Sequence, residues 1–221
     1  GATPLWIACK SGRREFAELL LARGADVNKA NDYGVTPLFI ACQKGHRKIV
    51  ELLLDRGADI DQADCDGSTP LWIACARGHR DVAELLLDRG ADINQACNDG
   101  VTPLYIACEK GYKKVIELLL DRGADINQVM VSGRTPLSSS CEKGHLVISE
   151  LLIASNKFDG YTPEQFKKII RSCRAYFQAD TESAMSYCII AYQCYKHLDD
   201  PNYTFDAQEQ SAIDRGKAEE V

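Results

Sequence analysis

The triplet Thr-Pro-Leu occurs at 3–5, 36–38, 69–71, 102–104 and 135–137, so one motif returns every 33 residues through five copies. A strict period of this length excludes a single closed core and demands a linear array, because each copy is too short to bury its own apolar face. The glycines obey the same period. Fourteen of the sixteen stand in three columns, Gly1/34/67/100/133, Gly12/45/78/111/144 and Gly24/57/90/123, and so punctuate the repeat.

Within each copy, threonine followed by proline is a helix start. The hydroxyl can cap a free N–H, and proline suits the first helical position, where its missing donor costs nothing. The run Leu38-Phe39-Ile40-Ala41-Cys42 carries a first helix for about two turns, to Gly45, a residue able to end it in the left-handed conformation. Ile49, Val50, Leu52 and Leu53 then form an i, i+3, i+4 stripe on a second helix that stops at Gly57. The following ten residues, 58–67, hold mainly turn formers and predict a projecting finger, either loop or β-hairpin. Helices of about ten residues are marginal alone in water, so stacking on neighbours is obligatory.

A 33-residue period with Thr-Pro-Leu opening a helix resembles the ankyrin-repeat family over residues 1 to about 153. The resemblance implies an all-α solenoid of helix-turn-helix units with β-hairpin or loop fingers. Gly34-Val35-Thr36-Pro37-Leu38 and Gly45-His46 fit the family pattern, and two columns depart from it. Where the family carries histidine after Thr-Pro-Leu, this chain has Trp6, Phe39, Trp72, Tyr105 and Ser138, which removes the family's Thr–His hydrogen bond. Where the family carries a second alanine, it has cysteine.

Those cysteines, Cys9, Cys42, Cys75, Cys108 and Cys141, are copies of one position. Stacked helices lie about 8–10 Å apart, beyond the ~7 Å Cα limit for a disulfide, so they read as small, buried, reduced thiols. Reduced thiols point to the cytoplasm or nucleus. No apolar run approaches the roughly 20 residues that cross a bilayer, and no signal-peptide pattern is present. A formal net charge of -6 argues against broad phosphate binding, so no nucleic acid is expected as a partner. Neither a membrane nor a small-molecule substrate is expected.

The remaining chemistry is thin. Cys194 and His197 share a helical face, but a thiolate dyad needs an orienting group and a cleft that nothing here supplies. Zinc calls for paired Cys or His at short spacing, and Cys188 and Cys194 are six apart; His46, His79 and His145 belong to the Gly-His column, which the family uses structurally. The glycines follow the repeat and make no phosphate loop. No catalytic residue, metal or cofactor is expected, and the chain is not read as an enzyme. Asp26, Asp59, Asp92 and Asp125, with Asn28, Asp61, Asn94 and Asn127 two residues later, have the composition of turns. The resemblance adds that Asn28, Asn94 and Asn127 could be substrates of an asparaginyl hydroxylase.

Binding must use positions that vary while the framework repeats. At the finger tips these are Asp32, Tyr33 and Val35; Cys65, Asp66 and Ser68; Asn98, Asp99 and Val101; and Val131, Ser132 and Arg134. The ends of the first helices add Lys10 and Ser11, Gln43 and Lys44, Ala76 and Arg77, Glu109 and Lys110, and Glu142 and Lys143, which the family turns toward a concave groove. Tips and groove together imply one surface for a partner protein. Trp6, Phe39, Trp72 and Tyr105 stand in register and offer an aromatic ladder of anchors, set against the plainer reading that they fill space between repeats.

The ends of the array differ. Gly1-Ala2-Thr3-Pro4 opens inside a repeat, so a longer parent protein with further repeats is expected. Ser138-Ser139-Ser140 alters the fifth copy, as terminal repeats often are altered. Beyond 153, a tail over 154–221 is predicted to cap the array with helices near 163–178 and 181–198, the first opened by a capping box at Thr162 and Gln165. A weaker helix is expected from Thr204 toward Arg215, and 217–221 should fray. The leading expectation is a protein-binding scaffold or adaptor module. Its alternatives are a regulatory adaptor, such as one recruiting substrates to a ubiquitin ligase, and the targeting fragment of a larger enzyme.

Overall fold

The computed structural model describes residues 1–155 together with 210, 211, 213–215 and 218. Ten helices run through 1–155: α1 (Pro4–Lys10), α2 (Arg14–Ala22), α3 (Pro37–Lys44), α4 (Arg47–Asp55), α5 (Pro70–Ala76), α6 (Arg80–Asp88), α7 (Pro103–Lys110), α8 (Lys113–Asp121), α9 (Pro136–Glu142) and α10 (Leu146–Ser155). The chain divides into two compact units, Gly1–Ala124 and Asp125–Val221. The first holds four helix pairs. The odd-numbered helices pack on one another in succession, as do the even-numbered ones, so this unit is a two-layer stack.

Each first helix begins as its sequence demands. The hydroxyls of Thr3, Thr36, Thr69, Thr102 and Thr135 accept the backbone N–H three residues on, and proline fills the next position. The turn into the second helix places Gly45 at φ 72° and so near the next repeat that a Cβ would lie 2.8 Å from the His79 ring. Left-handed backbone and close approach both require glycine there. The His79 Nε2 lies 3.1 Å from the Gln43 carbonyl, and His46 Nε2 lies 3.4 Å from that of Lys10. This histidine column joins neighbouring repeats.

The fingers are turns; among the described residues no strand forms. Each is closed by one residue whose N–H donates to the carbonyl four positions on: Asn31 to Val35, Asp64 to Ser68, Cys97 to Val101 and Met130 to Arg134. Adjacent fingers of the first unit are pinned by Cys65 N–H to the Tyr33 carbonyl at 3.1 Å and Asn98 N–H to the Asp66 carbonyl at 3.0 Å. One such bond per finger pair is too few for a ladder, so of loop and β-hairpin it is the loop that forms.

The core lies between repeats. Ile40, Ile73 and Ile106 are 4–7% exposed, whereas Ile7 in the same column of the first copy is 53% exposed. Phe16 and Leu19 are likewise half exposed, while Ile49, Val82, Val115 and Leu52, Leu85, Leu118 in their columns are buried. A preceding helix pair is thus what covers these side chains, at about 1.5–3 kcal/mol for each one fully buried. Along the second helices, Arg89 reaches Asp55 at 2.9 Å and Arg122 reaches Asp88 at 2.7 Å. These pairs link repeats 34 apart in sequence, are solvated, and contribute at most about 1 kcal/mol each.

In the second unit, α9 and α10 pack together. The Thr135 and Ser138 side chains cap each other's backbone, and the Ser140 and Ser149 hydroxyls meet at 2.8 Å. Residues 210, 211, 213–215 and 218 are helical, so helix reaches position 218, a position expected to fray; positions 204–209 of the helix expected from Thr204 lie outside the described residues. The helices expected near 163–178 and 181–198, the Thr162–Gln165 capping box, and Cys188, Cys194 and His197 lie outside the described residues.

Candidate protein-binding surface

In the first unit, the finger tips expose Asp32, Tyr33, Cys65, Asp66, Asn98 and Asp99, and the ends of α1, α3, α5 and α7 expose Lys10, Ser11, Lys44, Arg77 and Lys110. Gln43, Ala76, Glu109, Val35 and Val101 are half-buried, and Ser68 is buried. Among the described residues Tyr33 is the most exposed aromatic, at 74%, on a tip whose backbone is tied by Asn31 Oδ1, which accepts from the N–H groups of Tyr33 and Val35 at 3.0 Å each. Asp64 does the same for Asp66 and Ser68 at 3.0 and 2.9 Å. The tips are therefore ordered before any partner arrives. In the second unit, Val131, Ser132, Arg134, Glu142 and Lys143 are exposed, and Arg134 pairs with Glu142 at 3.1 Å.

The aromatic ladder requires correction. Phe39 is 4% and Tyr105 2% exposed, so both are packing residues and offer no exposed face. Ser138 in that column is also buried. Trp6 and Trp72 remain half-buried. The Trp72 indole N–H donates to the Val101 carbonyl at 3.0 Å, while that of Trp6 is buried with no acceptor. The Lys10 ammonium lies 5.2 Å from the Trp6 ring centroid, a cation–π contact.

The column thiols are free, and Cys9, Cys42, Cys75, Cys108 and Cys141 are buried. Burial pushes Cys9 up to about 12 and holds Cys42, Cys75 and Cys108 far above the ordinary thiol range, so none is a nucleophile near neutral pH. Cys65 and Cys97 are the described thiols outside the core.

Among the described residues, depressions flank the finger and turn edges. One of ≈ 570 Å³ lies between the second and third fingers, lined by Asp66, Trp72, Asp99, Ile106 and Glu109 among others. Another, ≈ 370 Å³, lies on the opposite loop edge against Gly12, Arg14, His46, Arg47 and Lys48. Sequence reasoning missed the second one. Its signal was the cationic column Arg14, Arg47, Arg80 and Lys113 at the start of each second helix, although Arg80 and Lys113 are matched by Glu84 and Glu117 one turn on.

The model of a known family, ankyrin repeats (3 copies), matches residues 1–64 and 57–130. The chain belongs to the ankyrin-repeat family. No curated protein matches it. Ankyrin repeats are generally protein–protein interaction modules and are typically non-catalytic. Among the described residues no His, Cys, Asp and Glu group could hold a metal ion, and no helix is long and apolar enough to cross a membrane.

Proposed function

We propose that this ankyrin array binds a protein partner through its finger tips and the exposed ends of its first helices, and that this chain performs no catalysis. The observation that carries the reading is Tyr33, a large aromatic side chain three-quarters exposed on a hydrogen-bonded tip, at a position that no packing requirement explains. Aromatic residues on preordered backbone are favoured anchors, because little conformational freedom is lost when they bind. Around it, Asp32, Asp66, Asn98 and Asp99 occupy the tips, and Lys44, Arg77 and Lys110 edge the first-helix ends; Lys10, Gln43, Glu109, Val35, Val101 and, on its own unit, Arg134 complete the set, while Ser68, 6% exposed, leaves it. Trp6 and Trp72 keep partly open faces and stay in it, whereas Phe39 and Tyr105 leave it. Reduced core thiols favour a cytoplasmic or nuclear setting. Residues 1–153 form the array in this reading, and 154–221 its cap.

The test is affinity capture from the source cell with the chain as bait, beside a variant carrying Tyr33→Ala, Arg77→Glu and Lys110→Glu. A control carries Lys48→Glu and Lys114→Glu on the second helices. The reading expects the first variant to lose the partner and the control to keep it, with both folded by circular dichroism. Equal capture by all three would exclude this surface.

A further inference from the structure

We propose that the depression between the second and third fingers is a socket for the guanidinium of an arginine side chain; as a partner contact it rests on the docking surface described above. The cavity measures ≈ 570 Å³, within the range in which proteins hold ligand groups. One wall is the Trp72 indole, half-buried and held in orientation by its hydrogen bond to the Val101 carbonyl. Ile106 adds apolar surface. The rim carries the carboxylates of Asp66, Asp99 and Glu109, and no lysine or arginine lines the cavity. Glu109 is engaged with Lys110 at 3.2 Å, which leaves Asp66 and Asp99 as the exposed acceptors.

A fixed aromatic face beside carboxylates selects a flat cation. Guanidinium stacks on indole, presents a fork of donors to carboxylates, and gives up its water more readily than an ammonium does. The repeat pattern alone does not create this site. One repeat earlier, the columns of Trp72 and Asp66 hold the buried Phe39 and the uncharged Tyr33. Among the described residues, the pair of repeats around Trp72 is the one that combines a half-buried indole wall with two acidic tips.

Trp6→Phe leaves Trp72 as the sole tryptophan, so its fluorescence reports on the socket. Acetyl-Gly-Arg-Gly-amide is titrated against its lysine and citrulline counterparts, on this background and on one that also carries Asp66→Asn and Asp99→Asn. The expected result is a saturable, salt-sensitive response to the arginine peptide, a weaker one to lysine, none to citrulline, and a loss of about tenfold or more with both aspartates neutralised. No saturable response to arginine, an equal response to citrulline, or indifference to the two aspartates would overturn the socket. Partner capture separates this from the broader reading. If Asp66→Asn/Asp99→Asn captures normally while the Tyr33, Arg77 and Lys110 variant does not, the docking surface stands and the socket has no part in it.

Discussion

Position 61 shows how one residue can work against a repeat that otherwise suits its place. Asn28 Oδ1 accepts the N–H of Asp59 in the next repeat at 2.9 Å, and Asp61 makes the equivalent contact to Asp92 N–H at 3.2 Å. As a carboxylate, Asp61 is partly desolvated and faces Asp92 and Asp59, and these raise its pKa despite the Asp92 N–H. A carboxyl whose pKa is higher folded than unfolded favours the fold most in acid, and that advantage is lost as pH rises through the folded pKa. Asp61→Asn, which restores the residue found at 28, 94 and 127, should therefore stabilise the chain at pH 7. Because the carboxyl still reaches solvent, the gain should be about 0.5 kcal/mol. Urea denaturation at pH 7 and pH 3 checks it: the difference should be present at pH 7 and vanish at pH 3. The same scale shows where sequence reading stopped. The Thr caps, the left-handed glycines and the buried thiols follow from residue type and column. That Phe39 and Tyr105 are covered while Trp72 keeps an open face depends on side-chain volume against a neighbouring repeat, which no column discloses.

Between elements, α9 and α10 replace an apolar contact with a polar one. Ser140 occupies the column of Ala8, Ala41, Ala74 and Ala107, and Ser149 that of Ala17, Val50, Ala83 and Ile116. Their hydroxyls bond at 2.8 Å, Ser140 also donates to the Leu137 carbonyl, and Ser149 contacts the His145 carbonyl at 3.3 Å. Removing one member of a buried pair costs more than removing both. Ser140→Ala should destabilise by about 1 kcal/mol, and Ser140→Ala/Ser149→Ala by less than the sum of the single changes, as a double-mutant cycle in urea would show. In sequence, Ser138-Ser139-Ser140 read as an atypical terminal repeat; that Ser140 and Ser149 form a pair became visible only when both helices were in place. The Arg89–Asp55 and Arg122–Asp88 links escaped notice for a similar reason, since they join positions 34 apart across a 33-residue period. Loop and hairpin use the same turn residues, so sequence alone does not separate them; the number of interfinger hydrogen bonds does.

For the molecule as a whole, stability is shared among repeats, so a column acts collectively. Cys9, Cys42, Cys75 and Cys108 stay protonated in the fold far above the pH at which unfolded thiols ionise. Unfolding then releases protons once the pH passes the ordinary thiol range, so each buried thiol lowers stability as the pH rises above about 9. Denaturation midpoints should fall steeply above pH 9, and replacing all four by alanine should flatten that fall. A cysteine column whose removal leaves the alkaline slope unchanged would not be buried as described. The functional claim concerns one face of this stack, and site-specific crosslinking tests it most directly. A photoreactive phenylalanine at position 33, or at Lys114 on α8, is irradiated with the captured partner present. Adducts from position 33 and none from position 114 are expected; adducts from 114 alone would contradict the assignment of partner binding to the finger tips.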